Sequence, residues 1–181
     1  MAASSSLKET LGGISSRIGD DMQEKDVENA FLNEGFYSQL GYKGAGYDLR
    51  SEFTLPDNKR PDYVTLDENE SVTAVYEFKT SGRDLSPHED QLFHYVDELK
   101  ADYGVLTNGS EIRLYQGDTH SRMLAISSQD APQSEVADLV SALEKPEWDI
   151  SSPPSVDRFL NNLDEVELDG ELGREHFFDT F

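Results

Sequence analysis

Three charged residues, Asp62, Glu77 and Lys79, lie at positions where the sequence predicts two consecutive strands. Asp62 follows a proline at the start of a predicted strand over 61–66, and Glu77 and Lys79 lie at the end of the next, over 72–79. Residues two apart in a strand share a face, so Glu77 and Lys79 are expected to project together. A hairpin between the strands would bring Asp62 beside Glu77, and the pattern therefore predicts a cluster of two carboxylates and one ammonium group.

This cluster has the composition of a metal-dependent hydrolytic site. Two converging carboxylates repel each other unless a cation lies between them, and Mg²⁺ binds oxygen ligands while keeping several waters. We therefore expect Asp62 and Glu77 to bind the ion, with Phe78 anchoring the strand in the core. Lys79 should stay protonated beside two carboxylates, and it could orient a nucleophilic water and stabilise negative charge on a phosphate. The alternative is a solvated strand face on which Glu77 and Lys79 form an ion pair.

The elements that would position this cluster alternate between helix and strand. Helices are predicted over 22–40, with Gly35 as a C-cap, and over 87–101; strands are predicted over 47–55, 61–66, 72–79, 102–108, 111–116 and 123–127. The dipeptide Asn108-Gly109 indicates a hairpin between two of these strands. The resulting order is α-β-β-β-α-β-β, and the weaker strand over 123–127 follows it.

A second motif lies on the helix that follows the cluster. Gln91 and Tyr95 are four residues apart and therefore share one face of the helix, beside an apolar stripe of Leu92, Val96 and Leu99. The stripe is expected to pack the helix on the sheet. The two polar residues could support the cluster, or they could be the polar edge of an amphipathic helix.

Together these motifs resemble a known family. Pro61-Asp62 followed by Glu77-x-Lys79 is similar to the PD-(D/E)xK motif of restriction-endonuclease-like nucleases, and the element order resembles their αβββαβ core. The Gln91-x-x-x-Tyr95 pair is similar to one in the nuclease domains of type I restriction motor subunits and type IIG-like restriction–modification enzymes. The resemblance covers about residues 22–127.

The resemblance implies an α/β fold with a mixed central sheet flanked by helices, followed here by a short helical C-terminal extension. It implies Mg²⁺-dependent cleavage of DNA, with Mn²⁺ as a substitute ion, and a role in DNA defence. Methyltransferase, specificity or motor domains of the same system would be its partners. The Phe78 carbonyl would be a third metal ligand. In these families a glutamate of the first helix often joins the site. Glu28 is the expected match, and Glu34 is the second candidate. The alternative interpretation of Glu28 is an exposed carboxylate on the helix surface.

Basic residues near the motif are candidates for contacts with DNA phosphates. These are Lys43, Lys59, Arg60 and Arg83. Arg83, in the loop after Lys79, is the strongest candidate, whereas Lys59 and Arg60 could simply be turn residues. The four histidines show no metal-ligand spacing and are expected on the surface or in packing.

The formal charge of −22, from 37 acidic and 15 basic side chains, has three interpretations. Disorder is disfavoured because 36% of the residues are hydrophobic and form clear strand patterns. The second interpretation is an acidic mimic of DNA. The favoured one is a haloadapted surface of haloarchaeal type, on which concentrated salt screens the self-repulsion. Cysteine is absent, which excludes disulfides and thiolate metal sites.

Three regions are expected along the chain. Residues 1–20 are rich in Ser and Gly and are predicted to be flexible; 21–128 would be the nuclease-like domain; and 129–181 would be an acidic linker with helices over 134–144 and 155–164. The aromatic end of the chain suggests a longer protein or a docked tail, and Trp148 is expected to pack this extension. No segment has the pattern of a signal peptide or a membrane span, so a cytoplasmic protein is expected. A non-catalytic DNA-binding or assembly module of the same fold is the main alternative function.

Overall fold

The computed structural model describes residues 2–51 and 53–146, and within them six strands form one mixed sheet with helices on both faces. The helices are α1 (Ala2–Arg17), α2 (Glu24–Asn33), α3 (Phe36–Gln39), α4 (Glu89–Leu99) and α5 (Gln133–Leu143). The strands are β1 (Leu49–Arg50), β2 (Tyr63–Leu66), β3 (Val72–Phe78), β4 (Tyr103–Thr107), β5 (Glu111–Gln116) and β6 (Arg122–Ser127). One 3₁₀ turn, Ser86–His88, precedes α4.

The strands lie in the sheet in the same order as in the chain, β1-β2-β3-β4-β5-β6. Strands β3 and β4 are parallel, and every other neighbouring pair is antiparallel. The parallel pair requires a crossover, which α4 provides. The predicted α/β architecture with a mixed sheet flanked by helices is confirmed, as is the hairpin at Asn108-Gly109, which joins β4 to β5.

One face of the sheet is covered by α1, α2, α3 and α5. Their apolar residues form a single buried cluster with Ala74, Tyr76 and Phe78, which alternate along β3. The ring of Phe31 on α2 meets that of Phe78 edge-on, with centroids 5.2 Å apart. Residues two apart in a strand share a face, so this packing directs the intervening Glu77 to the opposite face.

Helix α4 covers the opposite face. Its buried residues Leu92, Tyr95 and Val96 pack in a second cluster with Val75 of β3 and Leu106 of β4. Gly104 allows this close approach, because a Cβ there would lie 3.0 Å from both Leu92 and Val96 side chains. Helix α4 ends at Leu99 and is capped by Lys100, which has a left-handed conformation with φ of 51°.

The N-terminal segment differs from the prediction. Residues 1–20 were expected to be flexible, but Ala2–Arg17 form helix α1, and Leu7, Leu11 and Ile14 are fully buried. These three residues follow a helical i, i+4, i+7 spacing, so they form one apolar stripe. Burial of that stripe against the sheet-facing core stabilises a helix whose Ser and Gly content is unfavourable in isolation.

Two predicted elements are shorter than expected. The helix over 22–40 is divided into α2 and α3 by Gly35, whose φ of 75° is left-handed and ends the first helix. The strand over 47–55 is reduced to Leu49–Arg50. The turn before it is closed by the Asp48 carboxylate, which accepts hydrogen bonds of 3.0 Å from the main-chain N–H groups of Lys43 and Gly44.

Helix α5 agrees with the predicted helix over 134–144, but it belongs to the same compact unit as the sheet, which continues to Pro146 rather than ending at residue 128. Its four buried residues join the cluster that includes α1. Beyond it, the Lys145 N–H donates to the Leu40 carbonyl at 2.7 Å, and the Lys145 ammonium pairs with Asp48 at 2.9 Å. The predicted helix over 155–164, Trp148 and the aromatic tail lie outside the described residues.

In the part of the chain that the structure describes, no helix combines the length and apolar character needed to cross a membrane.

Candidate active site

Asp62 and Glu77 lie side by side where β2 begins and β3 ends. The antiparallel register pairs Tyr63 with Tyr76, which places Asp62 opposite Glu77. The Asp62 carboxylate also accepts a hydrogen bond of 2.7 Å from the main-chain N–H of Phe78. The structure therefore brings together the two carboxylates that the sequence motif pairs.

Lys79, the residue directly after β3, joins them through its side chain. Its ammonium lies 2.9 Å from the Glu77 carboxylate, and its main-chain N–H donates to the Thr107 carbonyl of β4 at 2.8 Å. Only 1% of Glu77 and 6% of Lys79 is exposed. The alternative of a solvated strand face is therefore wrong, although the ion pair that it assumed is present within a buried cluster.

Burial is the largest influence on the two carboxyl groups of this cluster. It raises the pKa of Glu77 to about 7, with the charge of Asp62 acting in the same direction and Lys79 against it. It raises the pKa of Asp62 to about 6, partly offset by the hydrogen bond from the Phe78 N–H. Burial lowers the pKa of Lys79, but the charge of Glu77 and the hydrogen bond to it outweigh this, so the pKa is raised and the ammonium stays charged.

The oxygen atoms of the cluster match the ligands that a divalent ion prefers. One oxygen of Glu77, Oε1, is buried without a hydrogen-bond partner, which leaves a negative ligand atom uncompensated. Within residues 2–51 and 53–146, no set of three or more acidic or histidine side chains is arranged to hold a metal ion. Two carboxylates remain, Asp62 and Glu77, and a main-chain carbonyl such as that of Phe78 would be needed beside them. An orphaned carboxylate oxygen beside a second carboxylate fits a hard divalent cation.

Helix α2 approaches the cluster with its first two turns. Glu28 is buried, and its charge raises the pKa of Asp62, so these two carboxyl groups are close. Glu34 instead forms an ion pair with Arg17 of α1. Of the two glutamates considered from the sequence, the structure therefore brings Glu28 and not Glu34 toward Asp62.

Gln91 and Tyr95 form the pair expected from their spacing. The Gln91 side-chain amide donates to the Tyr95 hydroxyl at 3.1 Å. Tyr95 is buried in the core beneath α4, whereas Gln91 is exposed. The pair lies on the helix that covers the Glu77 face of the sheet, but among the described residues no hydrogen bond joins it to Asp62, Glu77 or Lys79.

The four basic candidates are distributed unequally around the site. Lys59 and Arg60 are exposed and lie three and two residues before Asp62 in the chain, and Lys59 pairs with Asp57 at 3.3 Å. Arg83 is exposed in the loop after Lys79. Lys43 belongs to the turn that the Asp48 carboxylate closes. The Asp48 main-chain carbonyl accepts a hydrogen bond from the Leu66 N–H, at the end of β2 far from Asp62. The structure therefore separates Lys43 from the cluster.

The loop that carries Arg83 is held on both sides. On one side, the Ser81 hydroxyl donates to the Gly19 carbonyl at 2.7 Å and accepts from the Met22 N–H at 2.9 Å. On the other, the Asn108 side chain donates to the Arg83 carbonyl at 2.8 Å. These bonds fix the main chain that links β3 to α4, and they therefore fix the position of the Arg83 backbone.

A buried arginine supports the same region from β5. The Arg113 guanidinium donates to the Ser86 hydroxyl at 3.0 Å and to the Glu89 carboxylate at 2.9 Å, at the start of α4. It also pairs with Glu111 at 2.7 Å, and the Tyr115 hydroxyl donates to Glu89 at 2.7 Å. This network orients α4 relative to the sheet.

Three residues near the cluster were missed by the sequence analysis. Glu24 lies 4.0 Å from the Lys79 ammonium, and Lys25 pairs with Glu28 at 2.5 Å. His88 is half-buried; burial lowers its pKa, and the charges of Lys79 and Arg83 add to this effect. The i, i+4 spacing of Glu24 and Glu28 on a helix was the available signal, since it places both on one face.

Comparison with known proteins gives one family match. Residues 47–121 match the family model of the type I restriction enzyme R protein N terminus. The matched segment contains Asp62, Glu77, Lys79 and the Gln91–Tyr95 pair, and it is less than half of the 181 residues. No curated protein matches the sequence.

Several solved structures are similar to the chain, and two of them are described here. One is a cryoEM structure of a DrdV–DNA complex, with a TM-score of 0.56 and 18% identity over 90% of this chain and 15% of that chain. The other is a fragment assigned to an HsdR subunit of a type I restriction enzyme from Vibrio vulnificus YJ016, with a TM-score of 0.49 and 18% identity over 65% of this chain and 25% of that one. The first likeness shows the α/β restriction-endonuclease-like fold. The chain spans only a small part of either protein.

Proposed function

We propose that this chain is a Mg²⁺-dependent DNA endonuclease domain of a restriction–modification enzyme. The observation that carries the proposal is the convergence of Asp62, Glu77 and Lys79 at the adjoining ends of β2 and β3. The family match over residues 47–121 supports the restriction context, since that family is the N terminus of a type I restriction enzyme subunit. DNA and the methyltransferase, specificity or motor parts of such a system would be the partners.

The side chains of Asp62 and Glu77, with the Phe78 carbonyl, would hold the ion. When bound, Mg²⁺ supplies Lewis-acid chemistry, which stabilises charge on a phosphate oxygen and makes a water molecule more acidic. Mn²⁺ would bind the same oxygen ligands. Glu28, whose charge already acts on Asp62, would add negative charge at the edge of this site.

Lys79 would act on the phosphate and on the nucleophile. Its ammonium is buried and held at 2.9 Å from Glu77, so its position is fixed before the substrate arrives. A preorganised positive charge in a partly dehydrated site stabilises the negative charge that develops during phosphodiester cleavage. Its raised pKa keeps it protonated at neutral pH, so it would stabilise charge and orient water rather than accept a proton.

Gln91, held by its hydrogen bond to the buried Tyr95, would support the site and the DNA backbone, and the exposed basic residues would bind and position DNA. Lys59, Arg60 and Arg83 lie next to the cluster in the chain, and phosphate contacts of this kind fix orientation without reading sequence. Target selection would then depend on other parts of the complete enzyme.

Plasmid cleavage in molar KCl tests the proposal. We expect nicking by the wild-type chain with Mg²⁺ or Mn²⁺, lost by about a hundredfold or more in Lys79→Ala and Asp62→Ala, because each removes a charge from the reacting centre. Lys8→Ala, at an exposed position on α1, is the control and should cleave like the wild type. Cleavage that survives both site substitutions would contradict the proposed active site.

One observation favours a second function, a non-catalytic DNA-binding or assembly module. The described residues contain no set of three acidic or histidine side chains able to hold a metal. Calorimetry with Mn²⁺ separates the two functions: binding that is lost in Asp62→Ala supports a metal site, whereas DNA binding without any Mn²⁺ binding supports the module.

A further inference from the structure

Lys25, in the first turn of α2, lies at the edge of the carboxylate cluster. Its ammonium is 2.5 Å from a Glu28 carboxylate oxygen and 6.0 Å from the centre of the Tyr63 ring. Tyr63 directly follows Asp62 in the chain, and the charge of Asp62 acts on the Lys25 ammonium. Lys25 therefore belongs to the electrostatic environment of the site.

Lys25 differs from Lys79 in accessibility. Of the Lys25 side chain 69% is exposed, compared with 7% of the Lys79 side chain. A buried lysine can act only on atoms that enter the site, whereas an exposed one can contact a long polymer that passes over it. Lys25 also has only one carboxylate partner within ion-pair distance among the described residues, and Lys79 has two.

The cluster presents DNA with an excess of negative charge. Glu28 pairs with Lys25, whereas Glu24 and Glu77 lie within 4.0 Å of the Lys79 ammonium. The charge of Asp62 acts on both lysines. A phosphate that approaches this edge needs a cation near solvent, because protein–DNA affinity depends on neutralising phosphates. The Lys25 ammonium is the solvent-facing member of an ion pair whose other member, Glu28, is buried, so Lys25 places positive charge at the outer edge of the cluster.

We propose that Lys25 contacts a backbone phosphate of DNA at the mouth of the Asp62–Glu77–Lys79 site. The inference rests on the proposed function in that DNA is the ligand. The ammonium would exchange the Glu28 carboxylate for a non-bridging phosphate oxygen. The Glu28 carboxylate, which is buried and close to Asp62, would then lose its ion pair with Lys25 when DNA binds.

The salt dependence of DNA binding tests this contact. Fluorescence anisotropy with a labelled duplex, in EDTA so that no cleavage occurs, gives Kd over a range of KCl in which the circular dichroism of the protein is unchanged. Loss of one phosphate contact reduces the slope of log K against log salt by about 0.9. We expect that reduction in Lys25→Gln, restoration in Lys25→Arg, and the wild-type slope in the control Lys8→Gln, a lysine on the exposed side of α1.

The outcomes separate this inference from the nuclease proposal. An unchanged slope in Lys25→Gln, or no DNA binding by the wild type, would overturn the contact. Plasmid nicking that is lost in Lys79→Ala would support the nuclease independently of Lys25. If the slope falls as expected but the wild type does not nick DNA, the phosphate contact stands and the nuclease proposal fails.

Discussion

The Asp62 carboxylate accepts a hydrogen bond of 2.7 Å from the main-chain N–H of Phe78. This bond ties the first residue of the motif to the strand that carries the other two. It also crosses from β2 to β3 at the point where regular pairing ends, since the last paired residues are Tyr63 and Tyr76. Asp62 is therefore held in place by the main chain of β3, independently of its charge.

Asp62→Asn should keep this hydrogen bond and remove the charge. Burial raises the Asp62 pKa from 3.8 to about 6 in the folded protein, so the folded state binds more protons than the unfolded state. The contribution of Asp62 to stability is therefore fully present below pH 3.8 and is lost as the pH rises through about 6. We expect the stability of Asp62→Asn relative to the wild type to increase between about pH 5 and about pH 8, measured by urea unfolding.

Asp84→Asn is a matched control for this pH dependence. Asp84 also accepts a main-chain hydrogen bond, from Ser86 N–H at 3.0 Å, but this bond lowers its pKa, so it is ionised in both states above pH 5. Its stability difference from the wild type should stay constant over the same range. A constant difference for Asp62→Asn as well would show that Asp62 is not held in a dehydrated site.

Leu11→Ala tests whether α1 is part of the folded unit. Leu11 is fully buried, and α1 packs in the same cluster as α5 and β3. Truncation of a buried leucine typically lowers the free energy of unfolding by about 2–5 kcal/mol. We expect a loss in that range by urea unfolding, against a change within about 0.5 kcal/mol for Glu9→Ala, which is exposed on the same helix. Equal, small effects of the two substitutions would mean that α1 does not stabilise the domain.

The error at α1 has a physical cause. The segment AASSSLKETLGGISSR contains five serines and two glycines, so its intrinsic helix propensity is low. The apolar spacing of Leu7, Leu11 and Ile14 was present in the sequence, but a stripe of three residues specifies a helix only when a complementary surface exists. That surface consists of residues distant in sequence, such as Val136 and Leu139 of α5.

The core of the site was predictable because it depends on local rules. Strand alternation separates Glu77 from Phe78, and a hairpin between consecutive strands brings Asp62 beside Glu77. The approach of Lys25 and Glu24 could not be derived in this way, since it depends on how α2 crosses the end of β3. Lys43 was grouped with the site because it is near in sequence, although the sheet places it at the other end of β2.

High salt should stabilise this protein. Its charge of −22 causes self-repulsion in the folded state, and the screening length falls to about 3 Å in 1 M salt. We expect Tm to rise by about 4 °C or more between about 0.1 M and 2 M KCl, which corresponds to about 1–2 kcal/mol for a chain of this size. Thermal unfolding followed by circular dichroism measures this.

A double substitution separates charge screening from general effects of salt. Glu9 on α1 and Glu98 on α4 are exposed, so Glu9→Gln with Glu98→Gln removes two charges without changing the core. If charge repulsion limits stability, the double variant should have a higher Tm than the wild type at low salt. Its Tm should also rise less on addition of KCl, because there is less repulsion to screen. If Tm is independent of KCl, or if the double variant gains as much as the wild type, self-repulsion does not limit stability and the haloadapted interpretation of the charge is wrong.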